Sequence, residues 1–292
     1  MDGTQAVLIA GATGSGKSAL ALGVAEAFDG VVINADSMQV YAELRVLTAR
    51  PTAEDEARAP HYLYGHVPAS DAYSTGRWLK DVGGAIGAAH AAGKLPVIVG
   101  GTGLYFKALL EGLSPVPEIP ADVRAHWRDQ AARVGAEGIF RHLQERDPVM
   151  AERLKLGDTQ RITRALEVID ATGRSLAHWQ SQSGTPLLDE AACVKIVAVL
   201  DREALYARLD QRFLAMLEAG ALDEAAQLMA PGLDGSVPVM RAIGVRPLIR
   251  HLRGDCTLDA AIIDGQMETR RYAKRQMTWT KSNMITWNRL DT

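Results

Sequence analysis

The chain has 292 residues, 47% of them hydrophobic and 23% charged, with a formal net charge of −3. That length suits one large domain or a core with an insertion, no stretch approaches the ~18 uninterrupted apolar residues of a membrane helix, and the slight acidity argues against a polyanion spread over the whole surface. Cys193 and Cys256 form neither a metal-ligand spacing nor a disulfide framework, and Met1-Asp2-Gly3-Thr4-Gln5 lacks the basic start of a targeting peptide. The expectation is a cytoplasmic protein with no obligate protein partner, in which nothing demands more than a monomer.

The first apolar run, Val7-Leu8-Ile9-Ala10, reads as a strand and leads directly into Gly11-Ala12-Thr13-Gly14-Ser15-Gly16-Lys17-Ser18. This fits G-x-x-x-x-G-K-[ST], the phosphate-cradling loop. Glycines let consecutive backbone N–H groups turn inward on an anion. Lys17 adds a mobile charge toward the outer phosphates, and the Ser18 hydroxyl is placed to ligate Mg²⁺. The helix beginning at Ser18 aims its positive end at the same point. By the loop alone, the tenant would be ATP or GTP.

Val31-Val32-Ile33-Asn34 reads as a second buried strand, followed at once by Asp36-Ser37-Met38-Gln39. Residues just past strand C-termini line the ligand crevice of open α/β sheets. Asp36 is therefore expected beside the loop; capping of the next helical turn is the alternative. Residues 50–76, with prolines at 51, 60 and 68, read as irregular, and His61 and His66 match no metal motif. Helical periodicity returns over 75–92. A third strand, 95–99, ends in Gly100-Gly101-Thr102-Gly103. Glycines easing a tight turn would explain that ending, though not the hydroxyl of Thr102.

Three prolines in Ser114–Pro120 mark a boundary. Beyond it, 121–134 and 138–146 read as polar helices of a small insertion, 158–172 as an amphipathic helix, and 194–200 as a fourth strand. Helices are expected over 203–219 and 221–230, and a long last one over 257–281. The implied division is a core of 1–113 and 158–292 with a helical insertion of 114–157. Strands alternating with helices indicate an α/β fold with a mostly parallel, doubly wound sheet. Six basic residues and no acid lie between Arg270 and Arg289, and four arginines and no acid between Ser236 and Arg253. Such local excess on an acidic chain points to a defined anionic contact.

Several stretches together carry a family likeness. They are Gly11–Ser18, Asn34–Tyr41, Thr48–Pro51, Ala59–Leu63, Val99–Tyr105, Leu109–Leu113, Asp158–Glu167, Arg241–Arg246 and Thr269–Trp279. In these, and in their order over nearly the whole length, the chain resembles the tRNA dimethylallyltransferases, P-loop NTPase-like proteins of the isopentenylpyrophosphate transferase family. The resemblance implies transfer of a dimethylallyl group from dimethylallyl diphosphate to N6 of adenosine 37 beside the anticodon, with pyrophosphate leaving and Mg²⁺ assisting. The loop would then hold the leaving diphosphate, with Lys17 and a Mg²⁺ on Ser18 neutralising it. Asp36 would be the general base and Thr102 would position the amine. Asp36, Ser37, Met38 and Gln39 would read the target adenine and its neighbour. Arg124, the helix residues Gln160, Arg161, Ile162, Thr163 and Arg164, then Arg241, Gly244 and Arg246, and Lys274, Arg275, Gln276, Trp279 and Lys281 would hold the anticodon loop. Extracting the adenine is base flipping, cheapest in a single-stranded loop.

Two departures stand out. After Tyr41 the family usually shows a basic residue and then Gly-x-Asp-x-Gly-Thr-Ala-Lys-Pro, where this chain has Ala42-Glu43-Leu44-Arg45-Val46-Leu47-Thr48-Ala49-Arg50-Pro51; the local turn must differ. Val245 stands where a Tyr is common. The two lone cysteines match the shorter bacterial form, without the zinc finger of eukaryotic members. Competing readings are a P-loop small-molecule kinase, a prenyltransferase of free adenine nucleotides and a non-catalytic RNA-binding protein. A basic C-terminal helix with Trp279 has no use in the first two, and Asp36 with Thr102 none in the third.

Overall fold

In the computed structural model, residues 3–229, 233, 235 and 237–292 are described. Met1, Asp2, the last residue of the helix expected over 221–230, and Ser236 at the start of the arginine-rich segment lie outside them. The chain divides into two compact units, one of residues 1–110 and 187–292, the other of 111–186.

The first unit opens with β1 (Ala6–Gly11), α1 (Lys17–Ala27), β2 (Gly30–Asn34), α2 (Ala53–Arg58), β3 (His61–Tyr62), α3 (Thr75–Ala91), β4 (Leu95–Gly100) and α4 (Gly103–Glu111). The second unit holds α5 (Ala121–Arg146), α6 (Pro148–Arg153), α7 (Thr159–Thr172) and α8 (Leu176–Gln180). The chain then returns through β5 (Cys193–Val199), α9 (Arg202–Glu218), α10 (Ala221–Met229), α11 (Val245–Leu252), α12 (Leu258–Asn283) and β6 (Asn288–Asp291). Sheet order is β3-β2-β4-β1-β5-β6, and every pairing is parallel.

The β-branched runs form the sheet because both of its faces are covered. Leu8, Ile33 and Ile98 pack with Trp78, Val82 and Phe106 on one side. Their neighbours Val7, Ile9, Val32, Val97 and Val99 pack with Ala21, Leu22 and Ala25 on the other. β1 lies between β4 and β5, so strand order reverses beside it and a crevice opens past the carboxyl ends of β1, β2 and β4. The phosphate loop, Asp36 and Thr102 each follow one of those ends.

Several expectations need correction. Residues 50–76 are not wholly irregular: Thr52 and Asp55 form a capping box that starts α2, and β3 pairs with β2. The helices expected over 121–134 and 138–146 are both present, following one another through a break at Gly135, whose φ of 67° is left-handed. The compact second unit ends at residue 186, not 157. Its core shows why: Ile162, Leu166 and Val168 of α7 and Leu176 of α8 pack on Trp127, Ile139 and Leu143 of α5. No helix among the described residues is long and apolar enough to cross a membrane.

Candidate active site

The phosphate loop leaves β1 at Gly11 and enters α1 at Lys17, with Gly14 and Gly16 both at φ 81°. That left-handed geometry lets the loop fold back on itself, and the Ser15 N–H donates to the Ala12 carbonyl at 3.1 Å. Three long-range side chains hold it from outside. Gln276 Oε1 accepts the Thr13 N–H at 2.8 Å, Arg208 donates to the Gly14 carbonyl at 3.1 Å, and Arg212 Nη2 donates to Thr13 Oγ1 at 2.5 Å. Lys17 Nζ reaches the Ala12 carbonyl at 3.3 Å. Lys17 is half-buried, and desolvation of its ammonium, partly offset by the Asp36 charge and reinforced by Arg212, lowers its pKa to about 8.

Asp36 is positioned by a side chain that the sequence offered no reason to single out. Asn34, wholly buried at the end of β2, accepts the Asp36 N–H at 2.8 Å and donates to the Asp36 and Leu63 carbonyls at 2.9 and 3.0 Å. Asp36 Oδ1 accepts the Met38 N–H at 2.9 Å within a turn; the next helix starts at Ala53 and is capped by Thr52, so Asp36 caps no helix. The Thr102 hydroxyl accepts the Ser37 N–H at 3.0 Å, and the Thr102 N–H donates to the Ala35 carbonyl at 3.2 Å. Gly100 permits that approach, since a Cβ there would lie 2.1 Å from the Ala35 oxygen. Asp36 thus stands between two cations, Lys17 and Arg212, and three phenols. Burial first and the Asp36 charge second push Tyr64, Tyr105 and Tyr272 upward, which keeps all three protonated.

A cavity of about 190 Å³ opens here. Thr13, Asp36, Arg212 and Tyr272 make a polar end, and Leu47, Leu209, Phe213 and Met216 an apolar wall. Arg241 and Arg275 also line it, and the Arg275 guanidinium lies 5.5 Å from the centre of the Tyr272 ring. Sequence reasoning missed Arg212, Tyr272 and Asn34 as site residues. Arg212 and Tyr272 carry no local flag because they meet partners distant in the chain, and Asn34 because a strand-end Asn bracing its near neighbour Asp36 looks like any buried polar residue.

The other expected contact residues fall into groups. Lys274 and Lys281 are exposed on α12, and Arg246 in the first turn of α11, where Gly244 at φ 86° caps the helix. Trp279 packs against Gly103. Gln39 spends its amide donors on the Thr48 and Ala49 carbonyls at 2.9 and 2.8 Å, and Gln276 spends its own on the Gly101 carbonyl at 2.9 Å. In the second unit Gln160 and Arg161 are exposed and Arg164 pairs with Glu167 at 3.2 Å. Ile162 and Thr163 face inward, Ile162 in the core and the Thr163 hydroxyl on the Thr159 carbonyl; an amphipathic helix that presents Arg161 to solvent must turn them inside. The departing segment 42–50 is closed by Glu224, whose carboxylate accepts the N–H groups of Arg45, Val46 and Leu47 at 2.8, 2.6 and 2.9 Å.

Comparison with known proteins gives the family. The IPP transferase family model matches residues 39–283, and an isopentenyl transferase model matches residues 4–64. The tRNA dimethylallyltransferase of Chelativorans sp. is 53% identical over 279 residues, covering 96% of both chains. This chain belongs to the IPP transferase family. A second member, the tRNA dimethylallyltransferase of Azorhizobium caulinodans, is 51% identical over 97% of this chain and 91% of its own. Among solved structures, a eukaryotic dimethylallyltransferase acting on tRNA superposes with a TM-score of 0.84 at 30% identity, covering 98% of this chain and 73% of that one. The full-length tRNA isopentenylpyrophosphate transferase of Bacillus halodurans gives 0.69 at 32%, covering 98% and 89%. The fold is accordingly the P-loop NTPase-like one of the family, and the chain is an enzyme of the prenyltransferase class.

The family's reaction raises the question of a metal. Among the described residues no three His, Cys, Asp or Glu side chains gather as a cage. Mg²⁺ does not require one, because it takes one or two protein oxygens and completes its shell with phosphate and water. The exposed Ser18 hydroxyl in the first turn of α1 is such a hard donor. The donor chemistry fits.

Proposed function

We propose that the protein transfers the dimethylallyl group of dimethylallyl diphosphate to N6 of adenosine 37 in the anticodon loop of tRNA. The carbon–oxygen bond of the donor breaks, the N6–carbon bond forms, pyrophosphate leaves, and the N6 proton passes to Asp36. The observation that carries this reading is Asp36 past the end of β2, in a cavity it lines with Arg212 and the loop residue Thr13, while Thr102 past the end of β4 holds the adjoining Ser37 N–H. Asp36 Oδ1 is engaged by backbone, which leaves Oδ2 to take the proton. The Thr102 oxygen orients the amine, and the apolar wall of Leu209, Phe213 and Met216 receives the isoprenoid. Loop amides, Lys17 and Arg212 offset the charge that develops on the leaving diphosphate. Mg²⁺, held by Ser18 and the diphosphate, would supply further neutralisation.

Exposed Arg246, Lys274 and Lys281 are cations suited to the phosphates of the anticodon loop, and a tRNA substrate places the enzyme in the cytoplasm. The test is mass spectrometry of anticodon-loop nucleosides after incubating protein, tRNA, Mg²⁺ and dimethylallyl diphosphate. N6-(dimethylallyl)adenosine at position 37 is the expected product. Prenylation of free adenine nucleotides alone, or phosphoryl transfer from ATP in its place, would overturn the assignment.

A further inference from the structure

Tyr272, Gln276 and Trp279 follow the spacing of one face of α12, and each meets a different part of the site. Trp279 fills the space in front of Gly103, where a Cβ would come within 2.2 Å of its ring. The Tyr272 hydroxyl sits against the Thr102 and Gln276 side chains. Gln276, only 6% exposed, joins two segments that no strand pairing joins at that point. Its Oε1 takes the Thr13 N–H of the phosphate loop at 2.8 Å, and its Nε2 gives to the Gly101 carbonyl, one residue before Thr102, at 2.9 Å. The fit is close: a Cβ on Gly101 would lie 2.0 Å from that Nε2. Lys274, Thr278 and Lys281 occupy the exposed face of the same helix.

Resting on the roles given above to Asp36 and Thr102, we propose that Gln276 is a positioning residue and not an RNA contact. Its carboxamide fixes the loop that holds the leaving group relative to the turn that orients the nucleophile. Both of its polar atoms bond inward and the residue is buried, so the amide is turned away from solvent and not presented to a base or phosphate. Transfer needs the departing oxygen, the carbon and N6 close to a line, and a displacement of about 1 Å at such a site costs on the order of 10²-fold in rate. A two-armed amide between donor and acceptor segments limits that displacement, and it also makes α12 continuous with the catalytic turn.

Gln276→Met keeps the side-chain length and removes both hydrogen bonds. Gln276→Glu keeps the volume and the acceptor for Thr13 but sets an anion against the Gly101 oxygen. In both variants the transfer rate at saturating tRNA should fall roughly 10–100-fold, pyrophosphate affinity should weaken several-fold, and the tRNA Kd should stay within about twofold. Gly101→Ala, which presses on the same amide from the other side without altering α12, should show the same pattern and serves if an α12 variant fails to fold. A tenfold weaker tRNA Kd with the saturated rate intact would make Gln276 an RNA contact and overturn the proposal. A lowered melting temperature with unchanged rate and affinities would do so too, by reducing the residue to packing. If the wild-type protein transfers no dimethylallyl group, the proposed function fails, and the variants then say nothing against Gln276.

Discussion

A carboxylate that acts as a base must be fixed and yet have an oxygen to spare, and Asp36 meets the two demands with different oxygens. Asn34 clamps its backbone from both sides and Met38 N–H holds Oδ1. Asp36→Asn preserves those contacts and removes the proton acceptor, so kcat should fall about 10²–10⁴-fold with tRNA affinity nearly unchanged; single-turnover kinetics beside a binding titration reads both. Lys17 supplies a pH test of the other half of the site. Burial lowers its pKa to about 8, and a bound diphosphate favours the charged form, so binding takes up a proton wherever free Lys17 is neutral. The ratio of wild-type to Lys17→Met pyrophosphate affinity, followed by calorimetry, cancels the titration of pyrophosphate itself and should therefore level off below pH 8 and fall up to about tenfold per pH unit above it. Lys17→Met should weaken binding most at and below pH 8. A ratio that rises with pH, or that stays at one throughout, would contradict the assignment of Lys17 to the anion.

At the scale of elements, the atypical segment 42–50 is held by one carboxylate from α10. Glu224 accepts three consecutive backbone N–H groups, and Leu47 and Thr48 beside them line the cavity. Glu224→Ala leaves those N–H groups without their acceptor. Charge-assisted hydrogen bonds contribute about 1.5–3 kcal/mol each when well formed. With Glu224 half-buried and water able to replace part of the loss, a destabilisation of about 2 kcal/mol is expected by urea unfolding, together with a raised KM for tRNA as the cavity wall loosens. The strands and helices that position the catalytic groups were legible because their signals are local: β-branched runs, glycine-rich ends and helical periodicity. The elements missed lack such signals. β6 reads Asn288-Arg289-Leu290-Asp291 and is exposed along its whole length at the sheet edge, so no alternation marks it. α11 is eight residues long with Pro247 in its first turn, which reads as a break. α7 looked like core because it is amphipathic, and only its packing on α5 shows which core it joins. The site divides the same way. Gly11–Ser18, Asp36 and Thr102 follow strand ends and could be read, whereas Arg212 and Tyr272 enter from helices far along the chain, and Gln276, expected as an RNA contact, bonds Thr13 and Gly101 instead.

For the whole molecule, a net charge of −3 has to be reconciled with a polyanionic substrate. Segregation does this, since from Arg270 to Arg289 every charged residue is basic, while residues of α12 such as Gln276 and Ala273 turn into the protein. Lys274 and Lys281 are exposed on that helix, and their charges can act on RNA without disturbing the catalytic groups buried beneath. Each phosphate neutralised in a single-stranded segment contributes about 0.7 to the slope of log affinity against log salt. Replacing both lysines by alanine should therefore flatten the slope for tRNA binding by about 1.4, weaken binding most at low ionic strength, and leave the saturated transfer rate within about twofold. The same double variant with an unaltered slope would place the RNA surface elsewhere. A fallen saturated rate with the slope intact would mean that α12 acts only through its buried face. The two faces of one helix thus make opposite predictions: charge variants change affinity and its salt dependence, and the Gln276 variants change rate.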